Sequence, residues 1–103
     1  MKVVITAAAR VDLAEIQALI AQDNPARADS FVEELVARCE ELTDAPRGYP
    51  LIPRYGRIGF RRRAYKGYLI FYIARSDRVE VARVIHGARD YERLLGLDGE
   101  PPS

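Results

Sequence analysis

The hydrophobic period of this chain changes once, and that change constrains its fold more than any other feature. Up to Thr43 the apolar residues recur three and four positions apart, the spacing of one helix face. Beyond Gly56 they fall in short β-branched and aromatic runs bounded by turns, the pattern of strands. Between the two lie Pro46, Gly48, Pro50, Pro53 and Gly56, so Ala45 to Gly56 reads as an irregular connection. Helices first and a small sheet after is the order this pattern dictates.

Val3 to Ile5 is a β-branched run too short for a helix and reads as a strand. Thr6 then caps a helix over Ala7 to Gln22, its hydroxyl accepting an amide one turn on. Leu13, Ile16, Leu19 and Ile20 form that helix's apolar stripe. Asp23-Asn24-Pro25 stops it and starts another, because proline disfavours helical geometry before itself yet suits the first helical position. With Asn24 as N-cap, the second helix runs from Pro25 to Thr43, burying Phe31, Leu35, Cys39 and Leu42 and turning Glu33, Glu34, Arg38, Glu40 and Glu41 outward. Strands follow at Ile58 to Tyr65, Tyr68 to Arg75 and Val79 to His86, joined by tight turns at Lys66-Gly67 and Ser76-Asp77-Arg78. Tyr68 to Ala74 is apolar on both faces, which predicts a central strand. Asp90 to Leu95 can add a last helical turn or two. The expected class is α+β, order β-α-α-β-β-β, a helix hairpin packed on a small, mostly antiparallel sheet.

At 103 residues the chain fits one domain, placed at 1–95, with a flexible tail over 96–103. No apolar run is long enough to span a bilayer, and no secretory signal is visible, so the cytoplasm is the default compartment and no membrane role is expected. Cys39 and His86 are too few soft ligands for a metal site, and no cofactor motif is present. The net charge of +1 hides a segregation: Met1 to Pro46 carries 4 basic and 9 acidic residues, Arg54 to Arg89 carries 10 basic and 2 acidic. A basic half of this kind suits nucleic acid or an acidic protein partner, although a merely solvated face is the plainer alternative.

Two basic clusters are candidates for function. Arg61, Arg62 and Arg63 lie in one expected strand, so alternation sends Arg61 and Arg63 to one face and Arg62 to the other. They either protect an edge strand from aggregation or gather guanidinium groups for phosphates or carboxylates. The second cluster is Arg83-Val84-Ile85-His86-Gly87-Ala88-Arg89-Asp90. Arg83 stands in an apolar strand and must reach a carboxylate or the sheet rim. His86 is the one histidine, either a general acid or base or a structural hydrogen-bonding residue. Nucleophile elbows, phosphate loops and metal pairs are missing. Any chemistry would therefore be metal-free, with cations stabilising a phosphorane-like transition state and His86 moving a proton.

Four stretches in this order resemble the RelE/ParE toxin superfamily, its ParE branch in particular. They are Ala9-Arg10-Val11-Asp12-Leu13-Ala14-Glu15-Ile16, Ile20-Ala21-Gln22-Asp23-Asn24-Pro25 with Ala28, Gly67-Tyr68-Leu69-Ile70-Phe71-Tyr72, and Arg83 to Asp90. The resemblance implies a toxin of a type II toxin–antitoxin system, linked to plasmid maintenance or stress response. Its implied partner is a ParD-like ribbon-helix-helix antitoxin, through which operator DNA is met only indirectly. ParE-like toxins are associated with inhibition of DNA gyrase by protein binding, without catalysis by the toxin. RelE-like relatives instead cut mRNA on the ribosome; in that case Arg61, Arg83, His86 and Tyr91 would be the catalytic candidates. A member that has lost toxicity and persists as a repressor partner is a third reading. For the target or the antitoxin, the expected contact residues are Arg61, Arg62, Arg63, Arg83, His86 and Arg89, with Leu13 and Ile20 on the helix hairpin.

Overall fold

The computed structural model of the protein describes residues 1–52, 59–89 and 91–95. Strand β1 (Lys2–Ile5) leads into helix α1 (Ala7–Ala21) and helix α2 (Pro25–Glu40), which ends in a 3₁₀ turn, Glu41–Thr43. Strands β2 (Phe60–Tyr65), β3 (Tyr68–Ala74) and β4 (Arg78–His86) follow, then a single helical turn, α3 (Tyr91–Leu94). This is the expected α+β order, and the described boundaries agree within two residues except at the end of α2, where the last three residues expected in the helix, Glu41–Thr43, form the 3₁₀ turn instead. Ile58, expected in the second strand, and the tail 96–103 lie outside the described residues.

The sheet order is β1-β4-β3-β2. β2, β3 and β4 form an antiparallel meander, while β1 runs parallel to β4, with Ile5 opposite Val81. A parallel neighbour requires a long crossover, and the helix hairpin with the two strands after it provides one. Thr6 does two jobs at this junction. Its hydroxyl oxygen accepts from the Ala9 amide at 3.2 Å, capping α1, while the hydroxyl donates to Val81 O, with Oγ1 2.9 Å from that oxygen. Asn24 caps α2 in the expected way, Oδ1 accepting from the Arg27 amide at 3.1 Å.

The main core lies between the hairpin and one sheet face, where Leu13, Ile16, Phe31 and Leu35 meet Ile70, Tyr72, Val79 and Val81. Cys39 is fully buried there, and burial pushes its thiol up to about 12, which keeps it protonated and inert. The opposite face carries a smaller cluster of Ile52, Phe60, Phe71 and Ile85, with Tyr91 and Leu95 packed on it. β3 is therefore covered on both faces, as its unbroken apolar run requires. Among the described residues no helix is long and apolar enough to cross a membrane.

Glu34 clamps α2 to the β2–β3 turn, although the periodicity places it on the outer helix face. Arg27, the Tyr65 hydroxyl and Lys66 all donate to its carboxylate. The Arg27 hydrogen bond, then those of Tyr65 and Lys66, hold the carboxyl at about 2, below its ordinary 4.5. A depressed acid adds stability that is present above its unfolded value and lost as pH falls through the folded one. The melting temperatures of the parent and Glu34→Gln are therefore expected to converge between about pH 4.5 and 2. Parallel melting curves over that interval would show that the clamp adds nothing.

Candidate functional site

The C-terminal end of β4 is the place where exposed polar groups and a groove coincide. β1 stops beside Val81, so among the described residues β4 continues past it with no strand on that side. α1 fills the gap with Asp12, which is only 5% exposed. Asp12 Oδ2 accepts from the Val84 amide at 2.9 Å, as a neighbouring strand's carbonyl would. The same carboxylate receives Arg83 through two bonds, Nε to Oδ2 at 2.7 Å and a terminal guanidinium nitrogen to Oδ1 at 2.8 Å. The Asp12 hydrogen bond raises the Arg83 pKa above its usual value, against the opposing effect of burial.

Past this pair the strand presents His86, with its ring edge-on to Tyr68 at 5.2 Å. The Ala88 amide donates to His86 Nδ1 at 3.1 Å, so in the neutral ring the proton sits on Nε2. Gly67, at a φ of +87°, allows the turn beneath; its carbonyl accepts from the Gly87 amide at 2.8 Å. A groove of about 280 Å³ opens between this end and α1. Ile16, Leu19, Val84 and Ile85 line it, and Glu15, His86 and Arg89 stand at its polar side.

The other candidates are not gathered here. Arg61 lies on β2, two strands from β4, and spends one guanidinium nitrogen on the carbonyls of Arg47 and Tyr49 at 3.1 and 2.8 Å. Arg63 bonds the Arg38 carbonyl at 2.9 Å and Glu41 at 3.0 Å, with its guanidinium over the Tyr49 ring. Both face the helix layer, whereas Arg62 is exposed. Tyr91 stacks on Phe71 at 5.0 Å in the cluster on the opposite sheet face. Arg61, Arg83, His86 and Tyr91 thus form no common site. Leu13, expected on a partner-facing surface, is 7% exposed and belongs to the core, while Ile20 is half-buried against it. The large apolar side chains that α1 shows to solvent are Val11 and Leu19, 56% and 58% exposed. Among the described residues no three His, Cys, Asp or Glu side chains converge as a metal site would need.

Asp12 is the residue that sequence reasoning passed over, though a signal was present. A carboxylate four residues before Ile16 falls on the buried side of α1, and Arg83 was in need of one.

No curated protein matches the chain. Among solved structures, one described as the chromosomal ParDE TA system from P. aeruginosa matches with a TM-score of 0.70 at 17% identity. The match covers 84% of this chain and 95% of that one, a likeness of fold. The family model for the ParE toxin of the type II toxin–antitoxin system, parDE, matches residues 3–91, and the chain accordingly belongs to the ParE toxin family.

Proposed function

We propose that this toxin inhibits DNA gyrase by binding it, without catalysis of its own, and is neutralised by a ParD-like ribbon-helix-helix antitoxin. The single observation that carries the non-catalytic reading is the employment of the arginines. Arg61, Arg63 and Arg83 each serve an internal carbonyl or carboxylate, and Arg61 and Arg63 lie on β2, two strands from the β4 strand that carries His86. Metal-free RNA cleavage needs several cations aimed at one phosphorane-like centre. What remains at the surface suits protein recognition: a groove beside exposed Leu19, with His86 and Arg89 at its margin. The antitoxin is placed on α1 and the neighbouring basic sheet end, where an acidic segment would gain association rate from steering.

Two measurements test the reading together. Induction of the toxin alone, with separate pulse-labelling, is expected to stop DNA synthesis while protein synthesis continues. In vitro, a stoichiometric amount of toxin is expected to block supercoiling by purified gyrase, and His86→Ala is expected to leave that block within about threefold of the parent. Early loss of translation, with codon-specific cuts that vanish in His86→Ala, would establish the ribosome-dependent endonuclease instead. Harmless induction without the antitoxin would point to the member that has lost toxicity.

A further inference from the structure

Among the described residues the sheet ends at β1, the parallel neighbour of β4, and no strand pairs with its outer edge. The Thr6 amide donates to Val81 O at 3.1 Å, so the polar groups of Thr6, Val4 and Lys2 point toward β4. By the alternation of a strand, the N–H and C=O of Val3 and Ile5 point away from it, into the open. Arg10 marks that side, because its Nε donates to Ile5 O at 3.2 Å. Beside the edge runs a groove of about 340 Å³ between β1 and α2, lined by Met1, Val3, Ile5 and Val36. Met1 is 61% exposed over it. Lys2 stands at one end of the edge and Arg10 at the other; among the described residues neither has an ion pair. Among the described residues, Glu40 is the one carboxylate lining the groove.

We infer that the β1 edge, from Lys2 to Arg10, is a docking site for an extended segment of a partner protein that alternates apolar and acidic side chains. The backbone of such a segment would pair with the outward N–H and C=O of Val3 and the N–H of Ile5. Its apolar side chains would enter the groove, and its carboxylates would reach Lys2 and Arg10. Charge selects this occupant over a second copy of the chain, since pairing two β1 edges brings four like-charged side chains together. The same two cations blunt the edge against indiscriminate strand pairing. The site is separate from the β4 end and does not depend on the gyrase reading.

The test uses the whole toxin and a capped hexapeptide, Glu-Val-Glu-Ile-Glu-Val, followed by amide exchange. At a peptide concentration about ten times the dissociation constant, exchange of the Val3 and Ile5 amides is expected to slow about tenfold. A Lys-Val-Lys-Ile-Lys-Val peptide is expected to leave both amides unchanged. Val3→Pro removes one outward N–H without touching the β4 ladder and is expected to abolish peptide binding, whereas Val3→Ala keeps the amide and retains it. Should the proline variant fail to fold, the alanine variant and the charge-reversed peptide still decide. Unchanged Val3 and Ile5 amides at millimolar acidic peptide overturn the inference, as does equal binding of the lysine peptide. Protection that rises with toxin concentration alone assigns the edge to a second copy and overturns it equally.

Discussion

Asp12→Ala is expected to lower the unfolding free energy by about 3 kcal/mol, the scale for breaking a buried, hydrogen-bonded ion pair. The substitution removes three acceptor contacts at once: two from Arg83 and one from the Val84 amide. The amide matters most, because it is buried at a strand edge that has no β1 residue beside it. A buried donor left without an acceptor bears its full desolvation cost, about 1–3 kcal/mol. Asp12→Asn keeps one carbonyl oxygen and the volume, so its loss is expected to be about half as large. Urea unfolding of the three proteins, with exchange of the Val84 amide, measures both quantities. A loss below about 1 kcal/mol for Asp12→Ala, with Val84 still protected, would mean that Asp12 does not hold the end of β4.

The second large effect is expected on the other sheet face. Phe71 is fully buried on β3 and stacks on Tyr91, the first residue of α3, with the ring planes 29° apart. Phe71→Ala removes a large side chain from a cluster of four buried residues, which is expected to cost about 3–5 kcal/mol. The whole stability of a domain this size is about 5–15 kcal/mol, so the variant should sit close to unfolding. Phe71→Leu keeps most of the volume and is expected to cost less than about 1.5 kcal/mol while losing the ring stack. The leucine variant isolates the docking of α3: trypsin is expected to cut after Arg89 and Arg93 faster than in the parent, with the melting curve little changed. Equal cleavage rates would mean that the Phe71–Tyr91 stack does not hold α3 to the sheet.

Several features were legible in the residues because they depend on local chemistry. The Asn24-Pro25 break, the Thr6 cap and the Lys66-Gly67 turn each follow from the preferences of one or two residues, and each stands where expected. Alternation likewise separated Arg62 from Arg61 and Arg63. Their use was not legible. Whether a guanidinium meets solvent or a carbonyl depends on what lies opposite, and the carbonyls of Arg47, Tyr49 and Arg38 arrive from 12 to 25 residues away. Leu13 and Leu19 show the same limit within a single helix. Periodicity put both on one stripe, but the sheet beneath α1 covers Leu13 and leaves Leu19 58% exposed.

By itself the sequence determined the element types, their order and the stop between the two helices, since a period of 3.6 or 2 and a proline act over a few residues. It also carried the family resemblance, whose four stretches all lie within the matched residues 3–91. Only the tertiary structure decided that β1 lies parallel against β4 and ends beside Val81. That ending makes Asp12 take a strand's place and commits Arg83 to it. These are contacts between residues some seventy positions apart, and no local preference encodes them. They form because packing the hairpin on the sheet buries a carboxylate and a strand amide together, and each needs the other as its hydrogen-bond partner.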